Sequence, residues 1–136
     1  MSRRFKPDQP QVRTVGRMIR HVSTVAVYVA DQDEGLRFWT EKVGFELRAE
    51  RPMGDARWLE VAPPGAASAL VLYPKAMMPD WETRRPSVVF EVEDIEATCS
   101  RLAEAGVSFA QPLTEMAWGG FASFLDPEGN EFGLRE

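Results

Sequence analysis

Histidine and cysteine are nearly missing from this sequence: His21 and Cys99 stand alone among 136 residues. A single cysteine permits no intrachain disulfide and no thiolate zinc cluster, and a reducing cytoplasm is the expected compartment. A single histidine excludes a paired-histidine metal site and leaves one chance at a triad. Long apolar runs are missing too. None approaches the roughly 20 residues of a membrane span, and the polar first residues lack the apolar core and cleavage site of a secretory signal, so no membrane partner is expected. Basic charge is in short supply, with 16 Lys and Arg against 21 Asp and Glu for a net charge of −5. That balance opposes a phosphate backbone, and no nucleic-acid partner is expected. Gly119-Gly120 is followed by no Lys-Ser/Thr and is not a phosphate loop. Neither Ser87 nor Ser123 stands in a nucleophile elbow.

What remains is the composition of one ordinary domain, long enough to bury a core without disulfides or a structural metal. Residues 1–17 hold five Arg or Lys, two Pro and no apolar period, and read as a flexible N-terminal tail. The folded domain is expected over 18–136. It opens on a period of two: Val25, Val27 and Val29 alternate with Thr24, Ala26 and Tyr28, which is a half-buried strand. Asp31 with Glu34 three residues on forms a helix start, Leu36, Trp39 and Val43 share a helical face, and Gly44 ends the helix. Strands follow at about 56–62 and 69–73 across Pro63-Pro64-Gly65, with a shorter strand near 45–49.

The plan then repeats. Moving Val29 and Asp31 on by 63 residues reaches Val92 and Asp94, and moving Gly44 on by 62 reaches Gly106. Val88, Phe90 and Val92 alternate as Val25, Val27 and Val29 do, and Ile95, Cys99 and Leu102 share a helical face. Cys99 there reads as a small core residue. Strands are expected near 121–125 and 131–135 across the Asp126-Pro127-Glu128-Gly129-Asn130 turn. Two βαβββ modules, about 20–74 and 86–136, account for the domain. The fold class is α+β: a curved mixed sheet with a concave cup and helices on its convex side.

The segments VYVADQDEGLRFWTEKVGF at 27–45 and FLDPEGNEFGL at 124–134 resemble the two signature segments of the vicinal oxygen chelate superfamily, which contains glyoxalase I, bleomycin resistance proteins and extradiol dioxygenases. The resemblance implies paired βαβββ modules, a concave binding surface and a homodimer. In metal-dependent members four His, Gln or Glu side chains hold a divalent ion. Those positions fall on Thr24, Val71 or its neighbour Leu72, Ser87 and Gly133. None supplies a metal ligand of the required kind, so no inherited metal and no cofactor are expected. His21 lies three residues before Thr24, on the other strand face, and does not replace them.

Side-chain parity fixes the expected lining independently. The less apolar set of each strand places Thr24, Ala26, Tyr28, Trp58, Glu60, Val71, Tyr73, Ser87, Val89, Glu91, Gly133 and Arg135 on the concave face. Tyr28, Trp58 and Tyr73 offer stacking surfaces, with Trp118 at a Gly-rich rim. Met53, Met77 and Met78 are wall candidates, and Trp81 belongs to the linker. Glu60 and Glu91 are the carboxylates this parity puts inside, as candidate general bases, as partners for a basic ligand, or as acids paired with Arg57, Arg84, Arg85 or Arg135. The leading reading is metal-free binding of a small organic molecule, basic or aromatic. The alternatives are a glyoxalase- or dioxygenase-like lyase or oxidoreductase, using Glu91 or Glu60 or a metal site rebuilt elsewhere, and a module whose cup only packs a dimer.

Overall fold

Strand β1 (Thr24–Val29) follows the alternation: Val27 and Val29 are buried, while Thr24, Ala26 and Tyr28 are half-buried on its other face. The computed structural model describes residues 20–136, and the expected tail at 1–17 lies outside the described residues. Beyond β1 the Asp31 carboxylate accepts the Glu34 backbone N–H at 3.1 Å and starts α1 (Gln32–Arg37). The helix does not run on regularly to Val43. It widens into a π-helical turn over Phe38–Val43, so that the sequence neighbours Phe38 and Trp39 both enter the core. Gly44, with φ of 95°, ends this turn in the left-handed region, as its position predicted.

Strands β2 (Glu46–Met53), β3 (Ala56–Ala62) and β4 (Ala69–Pro74) complete a sheet of order β1-β4-β3-β2, in which only β1 and β4 run parallel. The short strand expected near 45–49 extends to Met53. A linker with 3₁₀ turns at Lys75–Met77 and Trp81–Thr83 leads to the second module. There β5 (Val88–Glu91), α2 (Ile95–Glu104), β6 (Phe109–Met116), β7 (Gly119–Leu125) and β8 (Glu131–Arg135) give the equivalent order β5-β8-β7-β6. Asp94 caps α2 through the Ala97 N–H at 3.0 Å. The mixed sheet is thus divided into two four-stranded sheets, and neither closes into a barrel.

Both sheets turn their apolar faces to one core. Trp39 is fully buried, with ring centroids 4.9 Å from Phe132, 5.9 Å from Phe124 and 6.1 Å from Phe90. Val27, Val29, Leu59, Val61, Leu70 and Leu72 from the first sheet belong to the same cluster, as do Ile95 and Leu102 of α2. Sharing one core has a geometric consequence: the opposite faces of the two sheets look outward, away from each other. A second tie crosses between the modules. Glu128, in the Asp-Pro-Glu-Gly-Asn turn, accepts the Ala30 backbone N–H at 2.9 Å and the Lys75 ammonium at 2.8 Å. Lys75 also stands 4.1 Å above the Trp81 ring.

Candidate functional site

The first outward face is an aromatic tray. Register pairs Tyr28 with Tyr73 and Ala26 with Val71 across β1 and β4, and sets Glu60 of β3 opposite Val71. These residues therefore share a face, as period-two parity requires. The Tyr28 and Tyr73 rings meet edge to face at 5.9 Å, and Trp58 meets Tyr73 edge to face at 6.5 Å. Thr24 stands at the start of the same row, half-buried.

Glu60 is engaged on both oxygens. Its Oε2 accepts the Trp58 indole N–H at 2.7 Å and its Oε1 accepts Arg48 Nε at 2.8 Å. Hydrogen bonding from Trp58, followed by that from Arg48, holds this carboxyl below its ordinary range although burial opposes the shift. A general base needs a proton affinity near the working pH, so Glu60 is corrected from candidate base to anchored structural anion. Its partner is Arg48, not Arg57, which instead reaches Asp33 and Glu50. Arg48 reaches this face through a bulge: β2 pairs Leu47 with Val61 and Ala49 with Glu60, leaving Arg48 as the extra residue. Past the bulge Arg51 stands opposite Trp58, its guanidinium 5.6 Å from the centre of that ring.

The second outward face carries the other expected residues. Val89 pairs with Gly133 and Glu91 with Arg135, and all but the glycine are exposed. Ser87 precedes β5 and is exposed, while Ser123, opposite Gly133, is buried and donates to Glu131 at 2.6 Å. Trp118, more than half exposed on the β6–β7 turn, meets Phe121 edge to face at 5.8 Å. The twelve residues that parity assigned to one concavity thus form two trays, one per sheet, that a single chain does not bring together. Glu91 is exposed on the second tray of the single chain. Cys99 is half-buried, and burial pushes its thiol up, away from thiolate chemistry.

The metal positions can be tested on this geometry. Thr24 and Val71 lie on the first tray, Gly133 on the second, and Ser87 at the second tray's edge. Together they offer two hydroxyls, an isopropyl group and a hydrogen. A Cβ added at Gly133 would stand 3.1 Å from the Phe121 ring and 3.1 Å from Val89 Cγ2, so apolar groups fill that place. Leu72, the neighbouring alternative, is fully buried in the core. These residues do not fit a divalent cation. Among the described residues no three His, Cys, Asp or Glu are grouped to hold an ion elsewhere. A cavity of about 370 Å³, lined by Phe45, Phe90, Leu102 and Phe124 among others, lies at the seam of the modules. Among the described residues no helix is long and apolar enough to cross a membrane.

Fold and signature segments converge on a class. Residues 19–134 match the model of the Glyoxalase/Bleomycin resistance protein/Dioxygenase superfamily, and the chain belongs to that superfamily, with its vicinal oxygen chelate fold. It is 52% identical over 120 residues to the uncharacterized protein YetH of Bacillus subtilis, covering 88% of this chain and 100% of that one. Among solved structures it is similar to TnmS3, an antibiotic binding protein from Streptomyces sp. CB03234, at 40% identity and a TM-score of 0.73, over 86% of this chain and 95% of that one. It is similar also to a superfamily member from Sphaerobacter thermophilus, at 31% identity and a TM-score of 0.79, over 88% and 98%.

Proposed function

We propose that residues 18–136 form a binding domain that takes up a small aromatic organic molecule without a metal, in a cup that two copies of the chain complete. The observation that carries this reading is the first tray itself. It keeps three aromatic side chains around a floor of Ala26 and Val71, in the row that holds Thr24 and Val71, two of the positions at which the resemblance puts metal ligands in metal-dependent members. A recessed apolar surface with a few fixed polar groups is the usual form of a small-molecule site. The similarity to an antibiotic binding protein, at 40% identity, supports binding over turnover. Glu60, spent on Trp58 and Arg48, supports it too.

Outward-facing trays argue for the dimer. An open tray covers one side of a ligand only, and the second tray leaves Val89 and Trp118 more than half exposed. Laying the second tray of one copy over the first tray of another, twice about a two-fold axis, buries both and closes two equal cups. The test is a fluorescence titration of chelator-treated protein with 8-anilinonaphthalene-1-sulfonate, alongside sedimentation velocity. Saturable binding that needs no metal, is lost in Tyr73→Ala and accompanies a dimer is the expected result. Binding that appears only on adding a divalent metal, or that is unchanged in Tyr73→Ala, overturns the reading.

A further inference from the structure

We propose that Arg51 sets the charge of the ligand, and that the cup takes a planar aromatic anion, one bearing a carboxylate or sulfonate group. The inference rests on the binding reading above and adds a ligand class to it. The carboxylates of the cup pointed, in the sequence, toward a basic ligand. The structure removes that attraction at the aromatic end of the first tray. Glu60 has both oxygens occupied, by the Trp58 indole and the Arg48 guanidinium, and Arg48 neutralises its charge at 2.8 Å. Arg48 also donates to the Ala67 carbonyl at 3.1 Å, which fixes it in place. A cationic ligand would have to compete with an internal pair already formed.

Arg51 is in the opposite condition. It is exposed and forms no ion pair among the described residues. The bulge at Arg48 places it directly across from Trp58, on the face that carries Tyr73 and Glu60. The Arg51 Cζ stands over the Trp58 ring, 5.6 Å from the ring centre, within cation–π range. The N–H donors of a guanidinium lie in its plane, and with no ion pair to occupy them among the described residues they are free for a two-point hydrogen bond to a carboxylate or sulfonate. The anion at this edge sits at the border of the Tyr28, Tyr73 and Val71 floor, where a planar ring attached to it would lie. Arg84, beside Tyr28, is already paired with Asp80 at 2.9 Å.

The test is a pair of probes equal in ring and opposite in charge, 2-naphthoate and 2-naphthylmethylammonium, titrated by calorimetry into the full chain and its variants. The expected result is that naphthoate binds at least tenfold more tightly than the ammonium. Arg51→Gln should lower naphthoate affinity by about tenfold to a hundredfold, the size of a charged two-point hydrogen bond, and leave the ammonium unchanged. Arg51→Lys, which keeps the charge and loses the fork, should recover only part of the affinity. An unchanged melting temperature for Arg51→Gln would exclude a folding defect. Equal or tighter binding of the ammonium overturns the assignment to Arg51 while leaving the cup intact. Binding of neither probe overturns the cup as well.

Discussion

Replacing Glu60 by Gln tests the anchored anion that the first tray is built around. Glutamine has nearly the same shape but only one acceptor oxygen where Glu60 uses two. Its amide nitrogen must therefore meet either the Trp58 N–H or the Arg48 guanidinium, donor against donor. The site is almost closed, with Glu60 only 9% exposed, so water does not readily satisfy the displaced group. Leaving one buried donor without an acceptor costs about 1–3 kcal/mol. Loss of the opposite charge beside Arg48 adds to this, but Arg48 is about one-third exposed and solvent screens that part. A loss of about 2 kcal/mol at neutral pH is expected, which lowers the melting temperature of a domain this size by roughly 6–10 °C. The pH dependence gives a second handle. The native pKa of Glu60 lies below its ordinary value of 4.5, so the stability it supplies is fully present above that value and is lost as pH falls through the native pKa. The gap between wild type and Glu60→Gln in urea denaturation should therefore be full at pH 7 and narrow progressively in acid. A gap under about 0.5 kcal/mol at pH 7, or one that widens in acid, would refute the anchored anion.

The tie between the modules should appear as coupling. Lys75→Met and Glu128→Gln, made singly and together, should show a double-mutant interaction of about 1 kcal/mol in denaturation, because both groups are largely shielded and 2.8 Å apart. Additive effects would sever that link. Asp94→Ala removes the α2 cap and should cost about 1 kcal/mol, read from the same melts. Gly133→Ala presses a methyl against Phe121 and Val89, and the crowding outweighs the gain in chain stiffness, for a net loss of about 1 kcal/mol. A more stable Gly133→Ala protein would mean that the second tray yields more easily than its 3.1 Å contacts suggest.

Local signals carried most of the fold. Asp31, Asp94, Gly44 and Gly106 are legible because a cap depends on a few neighbouring residues, and these four mark the repeat. The rows Thr24-Ala26-Tyr28 and Val71-Tyr73 follow from period two alone. Strand β6 escaped because Gln111-Pro112 breaks its alternation, and proline survives there only because β6 is an edge strand. The π-helical turn escaped because Leu36, Trp39 and Val43 fit an ordinary helix, and only the joint burial of Phe38 and Trp39 calls for the wider turn. Arg48 and Arg51 were missed for a related reason. They lie three apart on β2, so parity puts them on opposite faces, and only the bulge, in which Arg48 is the extra residue, brings both to one face. Sequence parity puts Ala49, Arg51 and Met53 on the face of Leu47, and only the bulge turns them to the opposite one.

The division of the concave residues into two trays was also beyond the sequence. Alternation says which residues share a face of one strand, but the relation between two sheets is decided by Trp39. Its contacts with Phe90, Phe124 and Phe132 draw the helix sides together and send the open sides apart. Val89 and Trp118 stand exposed on one of those open sides. In the proposed function the cup belongs to the assembly, whereas the charge at the aromatic end of the first tray is set within one chain by Arg48, Glu60 and Arg51.

The most direct test of a metal-free cup completed by two chains is native mass spectrometry of protein purified without chelator. The expected result is a species of twice the chain mass with no bound metal, which takes up two molecules of an aromatic ligand. A monomer that binds the ligand, or a stoichiometric ion on each chain, would contradict it.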